Sequence, residues 1–327
     1  MSPPPVQASF RIAALIMLGL ATALPWLVSE YRLFQFTQVW ILAIAMLGLN
    51  LLTGWCGQIS LGHGAFFALG AYCSAILMQG AGLPVWLTLP ACAALGFGAG
   101  WLFGLPAARL EGLYLALASF ALAVALPQVL KHPGLAPLTG GSNGLVLDPA
   151  RAPAFWPGSA EHWIYTLALI VLVIAIVLTH RLARGQAGRA MRALRDHPIA
   201  AGAIGVNAAA LKAQVFGISA MFAGIAGGLS AIAVRYVGPD SFDMFLSISL
   251  LVGIVVGGLA SIPGSLLGAL FVQFVPHTAE QVSREAAWAI YGVFLLIALW
   301  AMPGGVASLV TRLRPSGFTD SAKSRPS

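Results

Sequence analysis

Residues 164–180 read IYTLALIVLVIAIVLTH, and from Leu167 to Leu178 the run is apolar without a break. A strand in a transmembrane β-barrel alternates apolar and polar residues over about ten positions. This run does not alternate, so it reads as a helix, and about 20 apolar residues are what a helix needs to cross a bilayer. The rest of the chain agrees. Over 327 residues it is 59% hydrophobic and 8% charged, with a mean hydropathy of +0.89. A soluble domain needs far more polar surface than that. The expected fold class is therefore all-α: a polytopic integral membrane bundle of about eight to ten transmembrane helices, short or re-entrant ones included.

Working outward, ten apolar spans are expected at 12–28, 37–53, 65–79, 84–105, 113–130, 163–179, 213–234, 245–259, 265–275 and 287–302. The segment 265–275 is too short to cross alone and 65–79 is marginal, so these two are the candidates for short or re-entrant helices. Residues 11–305 then form one transmembrane domain, with a tail before it (1–10) and another after it (306–327). The N-terminal run resembles a signal peptide with Ala-Thr-Ala as a cleavage site. Its charged region holds only Arg11, which favours an uncleaved first helix.

Ten spans put both termini on one side. That side collects 12 of the 17 Lys and Arg residues, among them Arg181, Arg184, Arg189, Arg192, Arg195 and Lys212; the other side holds 5. The positive-inside rule places the richer side in the cytoplasm, and the loop 131–162 outside. The net charge of +7 thus reports topology rather than nucleic-acid binding. Cys56, Cys73 and Cys92 are odd in number and lack metal spacing, which makes them packing residues.

No expected span contains Asp, Glu, Lys, Arg or His; all six histidines fall in connections. Proton-coupled carriers need such groups inside the membrane. No nucleophile–base pair, metal cluster or GxxxxGK[ST] loop is present, so neither a cofactor nor an ATP site of the chain's own is expected. The chain reads as a pathway without an energy source: a passive facilitator, a sodium-coupled carrier using backbone carbonyls, or a subunit driven by a partner.

Residues 188–207, GRAMRALRDHPIAAGAIGVN, bear on that choice. Proline is favoured at the first position of a helix and glycine just past its end. A helix of small residues is therefore expected from Pro198 to a release at Gly205, with Asn207 as N-cap of the span that follows. Arg189, Arg192 and Arg195 share one face before it, suited to head groups or an acidic partner. A plain basic loop is one reading; a short cytoplasmic helix that fits a groove on a partner is the sharper one.

This stretch resembles the cytoplasmic coupling segment of LivM-like permease subunits of branched-chain amino acid ABC transporters. Three other stretches are similar to the same family in the same order: LNLLTGWCGQISLGHGAFFALGAY at 49–72, PLTGGSNGL at 137–145, and RYVGPDSFDMFLSISLLVGIVVGGLASIPGSLLGA at 235–269. The likeness covers roughly 35–305 and departs at Gly202, where the family often carries Glu. It implies a multi-pass subunit of the bacterial inner membrane. Its implied partners are two ATP-binding subunits, a sister permease, an external binding protein and membrane lipid, with no nucleic acid. ATPase coupling would fall to Arg189, Arg192, Arg195, Pro198, Ala200, Ala201, Gly202 and Gly205. Cargo would be branched-chain or related amino acids, with urea, amides or aromatic and carboxylic acids as alternatives.

Two motifs remain. In GWCGQISLGHGAF, four glycines in eleven residues predict a broken helix or close helix packing. Gln58, Ser60 and His63 there, with Asn50 just before, are candidates for a substrate pathway; the competing reading has them satisfying one another, the broken backbone or a neighbouring helix. In LTGGSNG, Thr139, Gly140, Gly141 and Asn143 form either a chain reversal or a gating loop on the outer side. Segments 49–70 and 249–270 both read LL-x-G, then glycines, then Gly-Ala, a faint internal repeat.

Overall fold

The computed structural model describes residues 19–301 with 305 and 306, except 111, 151, 154, 155, 157 and 283–285. The two expected tails, save residue 306, and the start of the first span lie outside the described residues. The chain is an all-α bundle whose elements are α1 (Glu30–Asn50), α2 (His63–Ala81), α3 (Val85–Ala107), α4 (Leu113–Leu130), α5 (Ala160–Arg184), α6 (Gln186–Asp196), α7 (Pro198–Ala203), α8 (Ala208–Val234), α9 (Met244–Gly257), α10 (Ile262–Val282) and α11 (Ala287–Ala301). A two-residue antiparallel pair, β1 (Leu145–Val146) with β2 (Tyr236–Val237), is the one sheet among the described residues. Among the described residues, seven helices are long and apolar enough to cross a membrane.

Two expectations need correction. The short segments at 65–79 and 265–275 belong to full helices of 19 and 21 residues. The histidines are not confined to connections: His63 opens α2, His162 and His180 lie in α5, and His277 lies in α10. Hydropathy missed both for one reason. A polar side chain at a helix end lowers the local average although the helical backbone continues through it.

Helix α8 is the axis, packed against α3, α2 and α1. Apolar burial cannot drive this association, because lipid is as apolar as the helix surface. Close backbone approach does it instead. Cys92, Gly96, Gly100 and Gly104 recur every four residues, which puts them on one face of α3. A side-chain carbon at Gly96 would sit 2.7 Å from the Ala220 carbonyl oxygen, and one at Gly104 2.9 Å from the Ala213 Cα. On α2, a carbon at Gly70 would lie 1.9 Å from the Gly224 carbonyl oxygen. A third seam joins α9 to α10, where Gly257 meets Gly264 and Gly268 meets Gly253.

The caps follow the sequence. Asn207 Oδ1 accepts from the Ala210 N–H at 3.0 Å. Pro198 starts α7, and Gly205 (φ 87°) ends the turn beyond it. The end of α8 is joined to the start of α5 by the Arg235–Glu161 ion pair, and the end of α4 to the α8–α9 connection by Lys131–Asp240 at 2.5 Å. Segment 131–147 and residues 235–243 therefore share the face opposite α6 and α7. The two segments of the faint repeat are both helix–break–helix units, interrupted at 56–62 and at 258–261.

Candidate functional site

The α1 helix does not stop cleanly. It runs into a π-helical turn, Leu51–Trp55, whose closing bond spans five residues, Cys56 N–H to the Leu51 carbonyl at 3.2 Å. Irregular backbone follows from 56 to 62, with Gly57 at φ 75°. Such backbone is tolerated at membrane depth only where protein encloses it or it lines a cavity. The depth follows from a contact. Ser219, eleven residues into α8, reaches His63, which puts the start of α2 about 17 Å along a helix of about 40 Å. The far end of the break, at His63, therefore lies inside the bundle, while its start at the π turn lies level with the first turns of α8, where Leu51 and Leu211 line one cavity.

Three side chains close around the break. Ser219 Oγ donates to the Gly48 carbonyl at 2.6 Å, so it has to accept from His63 Nε2 at 2.6 Å. His63 is then the neutral Nε2–H tautomer, and its Nδ1 accepts from Ser60 Oγ at 3.0 Å. Ser60 in turn accepts from the Gly62 N–H at 3.3 Å. Ser60, His63 and Ser219 are all 0% exposed. Every member is satisfied without a net charge, the condition under which a buried polar chain is stable in a low dielectric. Leu61 and Gly64 donate their N–H groups to Ser119 and Ser247, which fasten the break to α4 and α9.

Gln58 is buried beside these groups. Its side-chain amide donates to Cys56 Sγ at 3.8 Å, and its backbone carbonyl accepts from Thr53 Oγ1 at 2.9 Å. Asn50 faces the other way, to the α9–α10 break. Its Nδ2 donates to Ser265 Oγ (2.9 Å), the Ser261 carbonyl (3.0 Å) and the Gly258 carbonyl (3.3 Å), while Oδ1 accepts from the Ala260 N–H (2.8 Å). The four pathway candidates thus form two clusters on either side of one π turn. Gln58, Ser60 and His63 surround the 56–62 break; Asn50 holds the 258–261 break.

On the opposite face, Thr139 Oγ1 donates to the Leu130 and Leu135 carbonyls and accepts from the Gly141 N–H. Gly140 and Gly141 take left-handed backbone (φ 73° and 57°), and a side chain at Gly140 would meet the Gly144 carbonyl oxygen at 2.0 Å. Asn143 is exposed, and its carbonyl accepts from Tyr236 Oη at 3.2 Å. A cavity of about 290 Å³ nearby is lined by Glu30, Phe34, Glu161, Ala233, Val234 and Arg235, so it offers both signs of charge.

The segment 188–207 has one side in the bundle and one side free. Met191, Leu194 and Ala201 are buried; Arg189, Arg192, Ala200, Gly202 and Gly205 are exposed. Ile199 and Ile204 are 92% and 76% exposed. Sequence reading passed over these two isoleucines. The signal was there, since they are the only large side chains between Pro198 and Gly205. It also passed over Ser219, Ser247, Ser119 and Ser265, each a lone hydroxyl in an apolar run. Such a group has to find a partner helix.

A helical bundle with seven membrane-length apolar helices among the described residues, an enclosed polar break and a partly exposed helical segment at one end has the architecture of a multi-pass membrane protein. The sequence profile described as "Branched-chain amino acid transport system / permease component" matches residues 31–299, and the chain belongs to that family. It is 30% identical to the high-affinity branched-chain amino acid transport system permease protein LivM of Escherichia coli K12, over 91% of this chain and 74% of that one. It is 24% identical to LivH of Salmonella typhimurium over 81% of this chain and 90% of the relative. It is 26% identical to the fructose import permease protein FrcC of Rhizobium meliloti over 42% of this chain and 40% of the relative. No solved structure matches.

Proposed function

We propose that the chain is the membrane-spanning permease subunit of an ATP-driven ABC importer in the bacterial inner membrane. It works with two ATP-binding subunits, a sister permease and an external binding protein, and moves branched-chain or related neutral amino acids. The observation that carries this reading is α7 with its C-cap Ile204: Ala201 lies against the bundle, and Ile199 and Ile204 stand in the open. Two exposed isoleucines on a short helix beside the basic α6 suit a groove on a soluble partner. The neutral hydrogen-bonded break suits a zwitterion, whose opposite charges are matched by dipoles without burial of a full protein charge. Relatives named as branched-chain amino acid permeases support the cargo class.

Since Ala201 faces inward, docking falls to Ile199 and Ile204, with Ala200 and Gly202 between them and Arg189 and Arg192 alongside. Ile199→Asp is expected to reduce co-purification of the ATP-binding subunits at least tenfold while the permease still reaches the membrane. A chain that purifies alone and transports without ATP hydrolysis is a facilitator or carrier, and that result refutes the proposal.

In this reading both termini are cytoplasmic and 131–162 is external, which the Lys and Arg distribution supports. Ser142, exposed beside Asn143, provides the test. A Ser142→Cys variant, in a background with the three native cysteines replaced by alanine, is expected to react with an impermeant thiol reagent in intact cells. Labelling only after lysis reverses the topology.

A further inference from the structure

We propose that Arg195 is a positioning residue that links the partner-docking segment to the 56–62 break, so that movement of α6 and α7 is delivered to the π turn at Leu51–Trp55. The inference rests on the ABC reading above and assigns Arg195 an internal role in place of a contact with lipid or partner.

The last carbonyls of a helix have no intrahelical donor. At the end of α1 and its π turn, the Gly54 carbonyl accepts from Arg195 Nη1 at 2.7 Å, across 141 residues of sequence. A cation at a helix C-terminus also suits the helix dipole. Asp196 Oδ1 accepts from Arg195 Nε at 2.9 Å and fixes the plane of the guanidinium. The aliphatic stem is seated too: a side-chain carbon at Gly57 would lie 2.6 Å from Arg195 Cγ. Beneath the contact, Met191 of α6 and Leu51 of the π turn line one small apolar cavity with Leu182, Leu211, Val215 and Ile218. Helix α6 is therefore attached to the π turn by a charge-assisted bond, a fitted stem and an apolar base.

The far side of the π turn is equally constrained. A carbon at Gly54 would lie 2.2 Å from Asn50 Oδ1 and 2.3 Å from the Ala260 nitrogen. The turn is thus held between α6 and the 258–261 break, and it leads directly into 56–62 with Gln58, Ser60 and His63. A displacement of α6 by the partner cannot leave the π turn in place while the Arg195–Gly54 bond holds. A π turn is a suitable element for such a load, because its loosened ladder can shift register locally without unwinding the whole helix.

The test uses the full complex in proteoliposomes: permease, sister permease, ATP-binding subunits and binding protein. The probe of the break is Cys at position 59, since Ile59 is 43% exposed there, with the native cysteines replaced by alanine. With Arg195 intact, labelling of Ile59→Cys by a thiol reagent is expected to change at least threefold on ATP binding. With Arg195→Gln that response is expected to vanish, and transport per ATP hydrolysed to fall at least tenfold, while the ATP-binding subunits still co-purify. Arg195→Lys, which keeps the cation and one donor for Gly54, is expected to recover at least half of the ratio. A wild-type ratio or a persisting labelling response in Arg195→Gln overturns the linkage and leaves the importer reading standing. An Arg195→Lys protein no better coupled than Arg195→Gln overturns the hydrogen-bonded cation as the link. A wild-type complex that transports without hydrolysing ATP overturns the importer reading itself.

Discussion

Asn50→Leu is expected to destabilise the folded permease by about 2–4 kcal/mol, since each buried backbone polar group left without a partner costs about 1–3 kcal/mol. A single interhelical hydrogen bond in a membrane protein averages only about 0.6 kcal/mol, because the groups find other partners when it is lost. Asn50 differs in what it serves. Its one amide meets two carbonyls, one N–H and one hydroxyl in a four-residue break, and of these the Ser261 carbonyl also accepts from the Ser265 N–H at 3.2 Å. Ala260 takes left-handed backbone there at φ 55°, a conformation that needs its surroundings to hold it. Asn50→Asp keeps the acceptor for Ala260 and loses the donors. It is expected to lie below wild type in stability and, because of its buried charge, no higher than the leucine variant. Thermal unfolding of the detergent-purified protein measures both. A melting temperature for Asn50→Leu within 2 °C of wild type, on the scale where 1 kcal/mol shifts a large domain by about 2–4 °C, rejects the latch.

Gly227→Leu is expected to abolish folding of the bundle. A side-chain carbon at Gly227 would lie 1.8 Å from the Phe67 carbonyl oxygen and 3.0 Å from the Ala71 nitrogen. Both obstacles are backbone, so no rotamer change relieves them, and α2 has to move away from α8. Overpacking commonly costs about 1–3 kcal/mol; here the whole seam opens, and Gly70 loses its contact with Gly224 as well. Gly98→Ala is the control. Gly98 is exposed on α3 with nothing within 4 Å of an added carbon, although Gly96 and Gly100 beside it are closed. Membrane-inserted, monodisperse protein is expected for Gly98→Ala and not for Gly227→Leu. Equal yields from the two remove close backbone approach as the basis of the α2–α8 contact.

Much of this architecture was legible beforehand because lipid imposes simple rules. Residues 164–180 required a helix. The small-residue helix between Pro198 and Gly205 stands where its end signals put it. The glycine cluster at 54–64 announced an interruption. The breaks themselves were less legible in detail, since a π turn follows from the register of hydrogen bonds and leaves no residue pattern of its own. The buried face of α7 was equally hidden. Ala200 and Ala201 are the same residue one position apart, and only the docked bundle makes one exposed and the other enclosed.

Sequence alone determined that the chain is helical and polytopic, because each span has to satisfy its own backbone hydrogen bonds and the cost of polar groups in hydrocarbon is paid residue by residue; the bounds of the helices, drawn too short at 65–79 and 265–275, came from the structure. Tertiary structure decided what the few polar side chains do. Asn50 meets a turn 208 residues away, His63 meets Ser219 at 156, and Arg195 meets Gly54 at 141. A lone polar group in an apolar helix states that it needs a partner, but the partner is chosen by which glycine-lined faces come into contact, and that is a property of the packed bundle as a whole.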